Sequence, residues 1–528
     1  MADQTVYQDG QLASYHDGQF ANGTVNHTNE PHVHEEGQVE RKRNVLSQFG
    51  TVFACGAALF MDGYNNASIG TVITLLKKIY GSSVVTSTQK ENLSAIGFAG
   101  TVIGMLVFGY YSDAVGRKSG MIVSCLIILV FTALSAGAYY HGNAYQMVQM
   151  LIAWRFFSGI GIGAEYPTGS VAAAEQTEEM PRRFQHGPFI LATNFMIDLG
   201  FVAAAFVPLV LTWICTENHN RLIWRLTLGL GVVPCLLVLP FRFLIKQPKL
   251  YTTNMIPPTL IPYRLVLKKY WFRLLTISIV WFIYDFIAYP FGIYSSLIVT
   301  EIIGPNPPQW VSLGWAVVIN CFYIPGSFIG AMLVDTIGPK KCLMIGLSLQ
   351  IVIGYIMSGL FERLKAHIAA FCVVYGLFLT FGEFGPGDNL GLLASKSCAT
   401  SVKGQFYGIA AAIGKIGAFG GGYAITALQN HWTDADGNST SDLYYTAPFY
   451  LGASLGCVSF LITAFLIKER PADIQKQEDE EFRRFLEENG FDMSKIGKVD
   501  SNTSDQTYVN QHPTFGEKMV EEKYLATQ

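Results

Sequence analysis

Long apolar stretches separated by short polar connections make up most of the chain between about residues 50 and 467. Residues 121–140, 224–245 and 451–467 are clear examples, and others follow at similar spacing. A helix needs roughly 20 apolar residues to cross the hydrocarbon core of a bilayer, so each stretch is long enough to span it. The pattern therefore predicts an all-α membrane protein with about twelve transmembrane helices.

The composition supports a lipid environment. Hydrophobic residues make up 50% and charged residues 14% of the 528 positions, and the mean hydropathy is +0.31. Such a chain is too apolar for a surface that faces water. The net charge of −3 gives no support to nucleic-acid binding. The nine cysteines lack paired spacing, so they are interpreted as small core residues and not as disulfide or metal ligands.

Basic residues collect on alternate connections between the apolar stretches. Examples are Arg117-Lys118, Arg182-Arg183 and Lys340-Lys341. By the positive-inside rule these connections and both termini are expected to be cytoplasmic, which requires an even number of spans. Lys77-Lys78 and Lys90 fall on the expected outer side and weaken the pattern without reversing it.

The expected organisation has five parts. They are a disordered cytoplasmic tail at 1–46, a six-helix bundle at 47–246, a cytoplasmic linker at 247–270, a second six-helix bundle at 271–467 and a cytoplasmic tail at 468–528. In the last part, acidic residues alternate with Phe482, Phe485 and Leu486, which predicts an amphipathic helix. Asn438 begins an Asn-Ser-Thr acceptor sequence for glycosylation in an expected outer loop, with chance occurrence as the alternative.

The two bundles resemble each other in sequence. The loop around Asp113 returns imperfectly around Asp335, 222 positions later. Asp62 and Asp285 are 223 positions apart. Glu165 and Asp388 are also 223 positions apart. A carboxylate inside a spanning helix is costly unless function requires it, and duplicated halves with polar sites near the membrane centre are typical of secondary transporters.

One polar loop follows the second apolar stretch. Asp113 ends a helix and Gly116 allows the turn, while Arg117 and Lys118 can pair with helix ends and carboxylates. Such a loop is predicted to act as a conformational latch. Together with Gly109, these residues make the sequence resemble the major facilitator superfamily, whose signature loop is Gly-x-x-x-Asp-x-x-Gly-Arg-Lys.

The resemblance implies the major facilitator fold, with two six-helix bundles and both termini cytoplasmic. Arg155, followed by glycines at 159, 161 and 163, is a further family feature on the fourth span. The stretch from Gly159 to Pro167 is similar to the phosphate:proton symporter branch, although Glu165 stands where Asp is typical. Trp281, Asp285 and Tyr289 at i, i+4 and i+8 share one helix face, and Lys415 matches the lysine that this branch uses for phosphate.

Two departures from that branch argue against inorganic phosphate as the substrate. Phosphate carriers tend to have Gln at the position of Asn194. They also have Asn directly after Phe-Gly-Pro, where this chain continues with Gly387, Asp388 and Asn389. The runs at 161–169 and 382–389 are closer to fungal glycerophosphodiester permeases of the glycerophosphoinositol and glycerophosphocholine type. Over residues 45–470, the chain resembles a proton-coupled importer of these compounds that works by alternating access.

The resemblance implies two sets of site residues. Proton coupling is assigned to acids that would repel an anionic substrate if all were ionised, namely Asp62, Glu165, Asp285 and Asp388. Substrate binding is assigned to a cationic and hydrogen-bonding set, namely Lys415, Arg155, Tyr166, Asn194, Trp281, Tyr289 and Asn389. Small residues at Gly387, Gly391 and Ala192 leave room for the glycerol and the headgroup.

Several of these residues keep a structural alternative. In these alternatives, Asp62 only caps a broken helix, Asp388 only holds an unwound backbone, and Asp198 only joins helices through packing. The corresponding alternative for Arg155 and Lys415 is that each serves only as the ion-pair partner of a buried acid. These readings stay open at the level of sequence.

Alternatives also remain for the protein as a whole. An inorganic phosphate:proton symporter uses the same machinery, and a nutrient receptor with little or no transport is the rival of another class. An enzyme is not expected, because no nucleophile–base pair accompanies the buried charges. We expect no cofactor and no metal, and His32 and His34 are interpreted as solvated. The expected protein is a monomer in the plasma membrane, with protons and a small anionic organophosphate as its partners.

Overall fold

The computed structural model describes residues 47–181, 184–303, 308–433, 440–471 and 473–497, and this part of the chain is essentially helical. The expected glycosylation site Asn438, the basic pair Arg182-Arg183 and the expected tail at 1–46 lie outside the described residues. The principal helices are α1 (Phe60–Tyr80), α2 (Ser87–Ala114), α3 (Arg117–Ala136), α4 (Ala144–Thr177), α5 (Gly187–Cys215), α6 (Glu217–Leu244), α7 (Tyr263–Ile303), α8 (Gln309–Ile337), α9 (Pro339–Gly359), α10 (Ile368–Ser395), α11 (Thr400–Asn430), α12 (Leu443–Leu466) and α13 (Ile474–Glu488).

Eleven of these helices, α2 to α12, are long and apolar enough within the described ranges to cross a membrane. The first helix, α1, has 21 residues, but it is more polar because Asp62, Asn65 and Asn66 lie near its start. Those three side chains are buried inside the protein, so their polarity is directed away from lipid. With α1 included, the helices match the twelve that hydropathy predicts.

Short local signals begin several of these helices. The side chain of Thr86 accepts a hydrogen bond from the backbone N–H of Gln89 at the start of α2. Asn143 does the same for Gln146 at the start of α4. Both satisfy donors that a helix end leaves unpaired. Gly116 and Gly338 precede α3 and α9 with φ values of +132° and +97°, a region that favours glycine.

The fourth helix of each half contains a π turn. It spans Tyr166–Ser170 in α4 and Glu383–Gly387 in α10. Each turn contains a proline, Pro167 or Pro386, which has no backbone N–H to continue the regular hydrogen bonding. Single π turns of this kind are frequent at functional sites.

Glycine allows close helix packing within and between the halves. In the first half, Gly100 and Gly104 of α2 lie against the backbone of α4, where a Cβ atom would collide with main-chain atoms. Between the halves, α2 packs along α11, and α5 packs against α8. The helices of the two halves enclose a central cavity between them.

The linker and the tail lie on the same face as the Asp113 loop. The linker contains a short helix, Lys249–Asn254, and α7 begins at Tyr263, within the segment expected as linker. The amphipathic helix that the tail sequence predicts is present as α13, with Phe482 and Leu486 buried. Its Asp479 accepts a 2.7 Å hydrogen bond from the backbone N–H of Thr400.

Candidate functional site

The central cavity lies between the two halves of the chain, at the level of the buried acids. Both halves of the chain contribute to its wall, so a movement of one half against the other changes its shape. Polar and aromatic residues that line it include Tyr166, Ser170, Asn194, Asp198, Trp281, Tyr284, Asp285, Tyr289, Glu383, Asp388, Tyr407 and Lys415.

Lys415 is the cationic centre of this cavity. Its side chain is 2% exposed, and its ammonium nitrogen lies 3.2 Å from Asp62 Oδ2 and 3.5 Å from Asp285 Oδ2. The ammonium also contacts the hydroxyl of Tyr289 and lies 3.6 Å from the centre of that ring. Two carboxylates from opposite halves thus share a single ammonium group on α11.

Asp62 is held by donors from three other helices. The hydroxyls of Tyr166 and Tyr289 donate to its Oδ2 at 2.6 and 2.7 Å, and Lys415 completes this set. Asn66 donates to its Oδ1 at 2.7 Å from one turn further along α1. Because these donors come from α4, α7 and α11, the Asp62 carboxylate connects the two halves at the cavity.

A second acidic group lies at the cavity wall. The Asn194 amide donates to Glu383 Oε2 at 3.0 Å and to Asp388 Oδ1 at 2.9 Å. The Tyr284 hydroxyl donates to Glu383 Oε1 at 2.8 Å. Asp198 also lines the cavity. The π turn of α10 brings Glu383 and Asp388 close together, which the regular helix period does not do for residues five apart.

Aromatic side chains divide the space between the halves. Phe201, Tyr289 and Tyr323 line the central cavity and also a second cavity of about 620 Å³ beside Asn66 and Asn320. The Phe201 ring lies 5.0 Å from that of Tyr323 and 6.1 Å from that of Tyr289, measured between centroids. These three rings separate the two cavities.

Three residues assigned to the site by sequence lie outside the central cavity. Glu165 accepts 2.5 and 2.6 Å hydrogen bonds from Arg242 and also contacts Ser124, so its carboxylate is a buried ion-pair partner. Arg155 donates to the backbone oxygens of Leu93 and Asn65 at 2.9 and 3.1 Å. Helix packing and not sequence spacing decides these positions, and it turns both side chains towards their own half.

Asn389 is the third of these residues. Its amide donates to the backbone oxygens of Phe384 and Gly385 at 3.1 and 2.8 Å, which satisfies carbonyls of the π turn. Trp281, in contrast, lines the cavity with its ring 5.6 Å from that of Tyr407. Tyr166, Asn194, Tyr289 and Lys415 line it as well.

The loop predicted to be a latch joins the two halves. Asp113 accepts hydrogen bonds from the backbone N–H groups of Gly404 and Gln405 at 2.9 and 2.8 Å, near the start of α11. Arg117 pairs with Asp113 at 2.6 Å and with Glu175 at 2.9 Å. Lys118 donates to the backbone oxygen of Phe243 at 2.8 Å. Gly116 leaves no room for a side chain beside Gln247.

The second half repeats this arrangement in a simpler form. Asp335 accepts hydrogen bonds from the backbone N–H groups of His186 and Gly187 at 2.9 and 3.0 Å, at the start of α5. Burial, reinforced by the nearby Lys396, lowers the pKa of His186 to about 3, so its imidazole is neutral. The motif aspartate of each half therefore caps a helix of the other half.

The halves also meet at the opposite face. Lys78 at the end of α1 donates to Glu217 at 3.1 Å and to the side chain of Gln309 at 3.2 Å. The backbone N–H of Gln309 donates to Glu217 at 2.9 Å. Contacts on both sides of the central cavity thus join the two halves.

No role was predicted from the sequence for Arg242, Glu175, Tyr284 or Glu383. Arg242 is a charged residue inside the apolar stretch 224–245, so the cost of burying charge in lipid was a usable signal for it. Glu383 lies in the same run as Asp388 and was open to the same argument. Tyr284 has no such signal, because a tyrosine in an apolar helix is ordinary.

Comparisons with known proteins agree with this architecture. The family model described as Major Facilitator Superfamily matches residues 55–422. The glycerophosphocholine permease GIT4 of Candida albicans is 45% identical over 468 residues, covering 88% of this chain and 87% of that protein. The major glycerophosphoinositol permease GIT3 of the same organism is 46% identical over 450 residues, covering 84% and 83%.

Solved structures show the same fold. The proton:xylose symporter XylE, bound to 6-bromo-6-deoxy-D-glucose, superimposes with a TM-score of 0.68. The match covers 82% of this chain and 98% of the symporter, at 15% sequence identity. This similarity establishes a shared arrangement of helices.

Proposed function

The chain belongs to the Major Facilitator Superfamily, and from that premise we propose that it imports glycerophosphodiesters together with protons across the plasma membrane. It is a multi-pass membrane transporter and not an enzyme. The permeases named above, one for glycerophosphocholine and one for glycerophosphoinositol, support this substrate class.

The observation that carries the proposal is the buried ammonium group of Lys415 in a cavity between the halves. A phosphodiester has one negative charge, and a buried charge needs an opposite charge and hydrogen bonds. Lys415 supplies the charge. Tyr166, Tyr289, Trp281 and Asn194 line the same cavity, and the hydrogen bonds that they make to its carboxylates are available for exchange with the substrate.

Proton coupling follows from the number of acids around this lysine. Asp62 and Asp285 both pair with Lys415, so the substrate anion competes with them for one ammonium group. A carboxylate that loses its pairing in a low-dielectric cavity is stabilised by taking up a proton. For a phosphodiester without a cationic headgroup, an interior-negative potential opposes entry by about 2.3 kcal/mol per 100 mV, and a cotransported proton offsets that cost.

Asp285 is the better candidate for the exchanging proton. Asp62 accepts hydrogen bonds from Asn66, Tyr166 and Tyr289 in addition to Lys415, so it keeps three donors when the ammonium binds a substrate. Asp285 has a hydrogen bond with the Trp281 side chain, but its Oδ2 has no hydrogen-bond partner among the described residues and pairs only with Lys415, at the longer distance of 3.5 Å. Substrate binding at the ammonium therefore affects Asp285 most.

Uptake measurements test this proposal. Cells that lack their own carriers would express the chain and receive radiolabelled glycerophosphoinositol, glycerophosphocholine or inorganic phosphate, with and without a protonophore. We expect uptake of the phosphodiesters that the protonophore abolishes. Uptake of phosphate alone would reject the substrate class, and uptake that ignores the protonophore would reject symport. Uptake of none of them, with the protein at the cell surface, would favour a receptor.

The variant Asp285→Asn separates binding from coupling. Because Asn resembles the protonated acid, we expect exchange of labelled for unlabelled substrate to continue while uphill accumulation is lost. Asp442→Asn, a change of the same size at an exposed acid outside the cavity and the latch loops, serves as the control and should keep accumulation. Full proton-driven accumulation by Asp285→Asn would remove Asp285 from the mechanism.

A further inference from the structure

The acids of the central cavity fall into two groups with different surroundings. Asp62 and Asp285 share Lys415. The other group, named the acidic pole here, consists of Asp198 on α5 and of Glu383 and Asp388 on α10. All three acidic-pole side chains are buried and line the cavity.

The acidic pole has no cationic partner. Within the described part of the chain, no lysine, arginine or histidine nitrogen lies within 4.0 Å of its carboxylate oxygens. Lys415 is already engaged by the other two acids. Three buried carboxyl groups without a counter-charge are costly for a folded protein, so retaining them points to a positively charged occupant or to bound protons.

The hydrogen bonding of the acidic pole is also incomplete. Asn194 and Tyr284 together satisfy Glu383 and one oxygen of Asp388. Asp388 Oδ2 has no hydrogen-bond partner among the described residues, and the Asp198 carboxylate has at most the neighbouring Ser327 hydroxyl as a donor there. Asp198 is 0% exposed, so bulk water does not satisfy it either. These acceptors face the cavity side of α5 and α10.

We propose that the acidic pole binds a cationic headgroup, so that the preferred substrate is a zwitterionic glycerophosphodiester of the glycerophosphocholine class. This inference rests on the proposed function, because it places the phosphate at Lys415. The ammonium of such a substrate is joined to its phosphate by a short linker, so one molecule presents a negative group to Lys415 and a positive group to the acidic pole. The net charge of this substrate is zero, so its binding adds no net charge to a cavity that already contains more acidic than basic side chains.

The wall beside the acidic pole suits a quaternary ammonium. The rings of Tyr284, Phe201 and Tyr323 line the same cavity, and aromatic faces attract quaternary ammonium groups. Gly387 keeps this wall open, since a side chain there would collide with the carboxylate of Glu383 and the hydroxyl of Tyr284. Inositol and inorganic phosphate contain no cation, so neither compensates the acidic pole.

The experiment uses the full-length protein reconstituted in proteoliposomes with an inward proton gradient. Uptake of radiolabelled glycerophosphocholine and glycerophosphoinositol would be measured for the wild type, Glu383→Gln and Asp198→Asn. For the wild type, we expect the KM for glycerophosphocholine to be about tenfold lower than the KM for glycerophosphoinositol. Both variants should raise that KM about tenfold and leave the KM for glycerophosphoinositol within about twofold.

The control is Asp335→Asn, an acid outside the cavity, which should change both KM values by the same factor. The shift of melting temperature produced by glycerophosphocholine is a second measurement, and it should shrink in Glu383→Gln even if its transport is slow. Equal wild-type KM values, or variants that raise both KM values equally, would overturn the headgroup assignment while leaving phosphodiester import intact. Uptake of neither compound would overturn the proposed function and this inference together.

Discussion

Glu165 and Asp388 occupy matching positions in the two halves, yet the protein treats them differently. Glu165 is bound by both terminal nitrogens of Arg242, at 2.5 and 2.6 Å. Asp388 accepts one hydrogen bond, from the neutral amide of Asn194, and its Oδ2 has no partner in the described chain. The position that matches Arg242, 223 residues later, is Phe465, which is 79% exposed.

This difference separates structure from function within a duplicated design. A buried acid that pairs with a dedicated arginine holds helices together. A buried acid without a cation is free to take a proton or to meet a charge on a ligand. The first half therefore uses its acid for internal cohesion, while the second half presents its acid to the cavity.

The largest expected effect comes from Arg242→Ala. Removing the arginine leaves the Glu165 carboxylate buried without its partner, which costs about 3–5 kcal/mol of unfolding free energy. We expect a clear fall in the melting temperature of the purified protein. The double variant Glu165→Gln with Arg242→Met, which removes both charges, should recover most of it.

Asp388→Asn neutralises the acid of the second half that matches Glu165. No cation loses its partner there, so we expect the free energy of unfolding to stay within about 1 kcal/mol. If Asp388→Asn proved as destabilising as Arg242→Ala in the same melting experiment, the contrast between the halves would be lost.

Two buried lysines on α11 give the next prediction. Lys415→Met removes a charged hydrogen-bond donor from the proposed phosphate site, so affinity should fall about 10- to 100-fold, equivalent to about 1.5–3 kcal/mol. Lys403 is equally buried, but its ammonium has no hydrogen-bond partner in the described residues. Lys403→Met should keep substrate affinity, measured by competition for uptake. Equal losses in the two variants would contradict a specific role for Lys415.

The smallest expected difference concerns the two motif aspartates. Asp113→Asn weakens an ion pair with Arg117 and a helix cap, whereas Asp335→Asn weakens only a cap beside a neutral histidine. We expect losses of about 2 and about 1 kcal/mol respectively in thermal unfolding. A larger loss for Asp335→Asn would show that the simpler latch is the stronger one.

Much of the architecture was accessible from the order of residues alone. Apolar stretches of spanning length predicted twelve helices, and the repeat of Asp113 at Asp335 predicted two related halves. These features are local along the chain or repeat at a constant distance, so no knowledge of packing is needed to find them. The acids at 62 and 285 were also evident, because charge inside an apolar stretch is conspicuous. Asp388 was evident from its distance to Glu165, and Lys415 only from the resemblance to the phosphate:proton symporter branch.

Only the tertiary structure decided which charges meet. Glu165 and Asp285 are equally conspicuous in sequence, but the rotation of α4 and α6 gives Glu165 to Arg242, while α7 and α11 bring Asp285 to Lys415. The partners of these pairs lie 77 and 130 positions apart, and helix periodicity says nothing about such distances. The same holds for Tyr284 and Asn194 at the acidic pole. Pairing depends on how helix faces pack, which the polarity pattern of a single helix leaves undetermined.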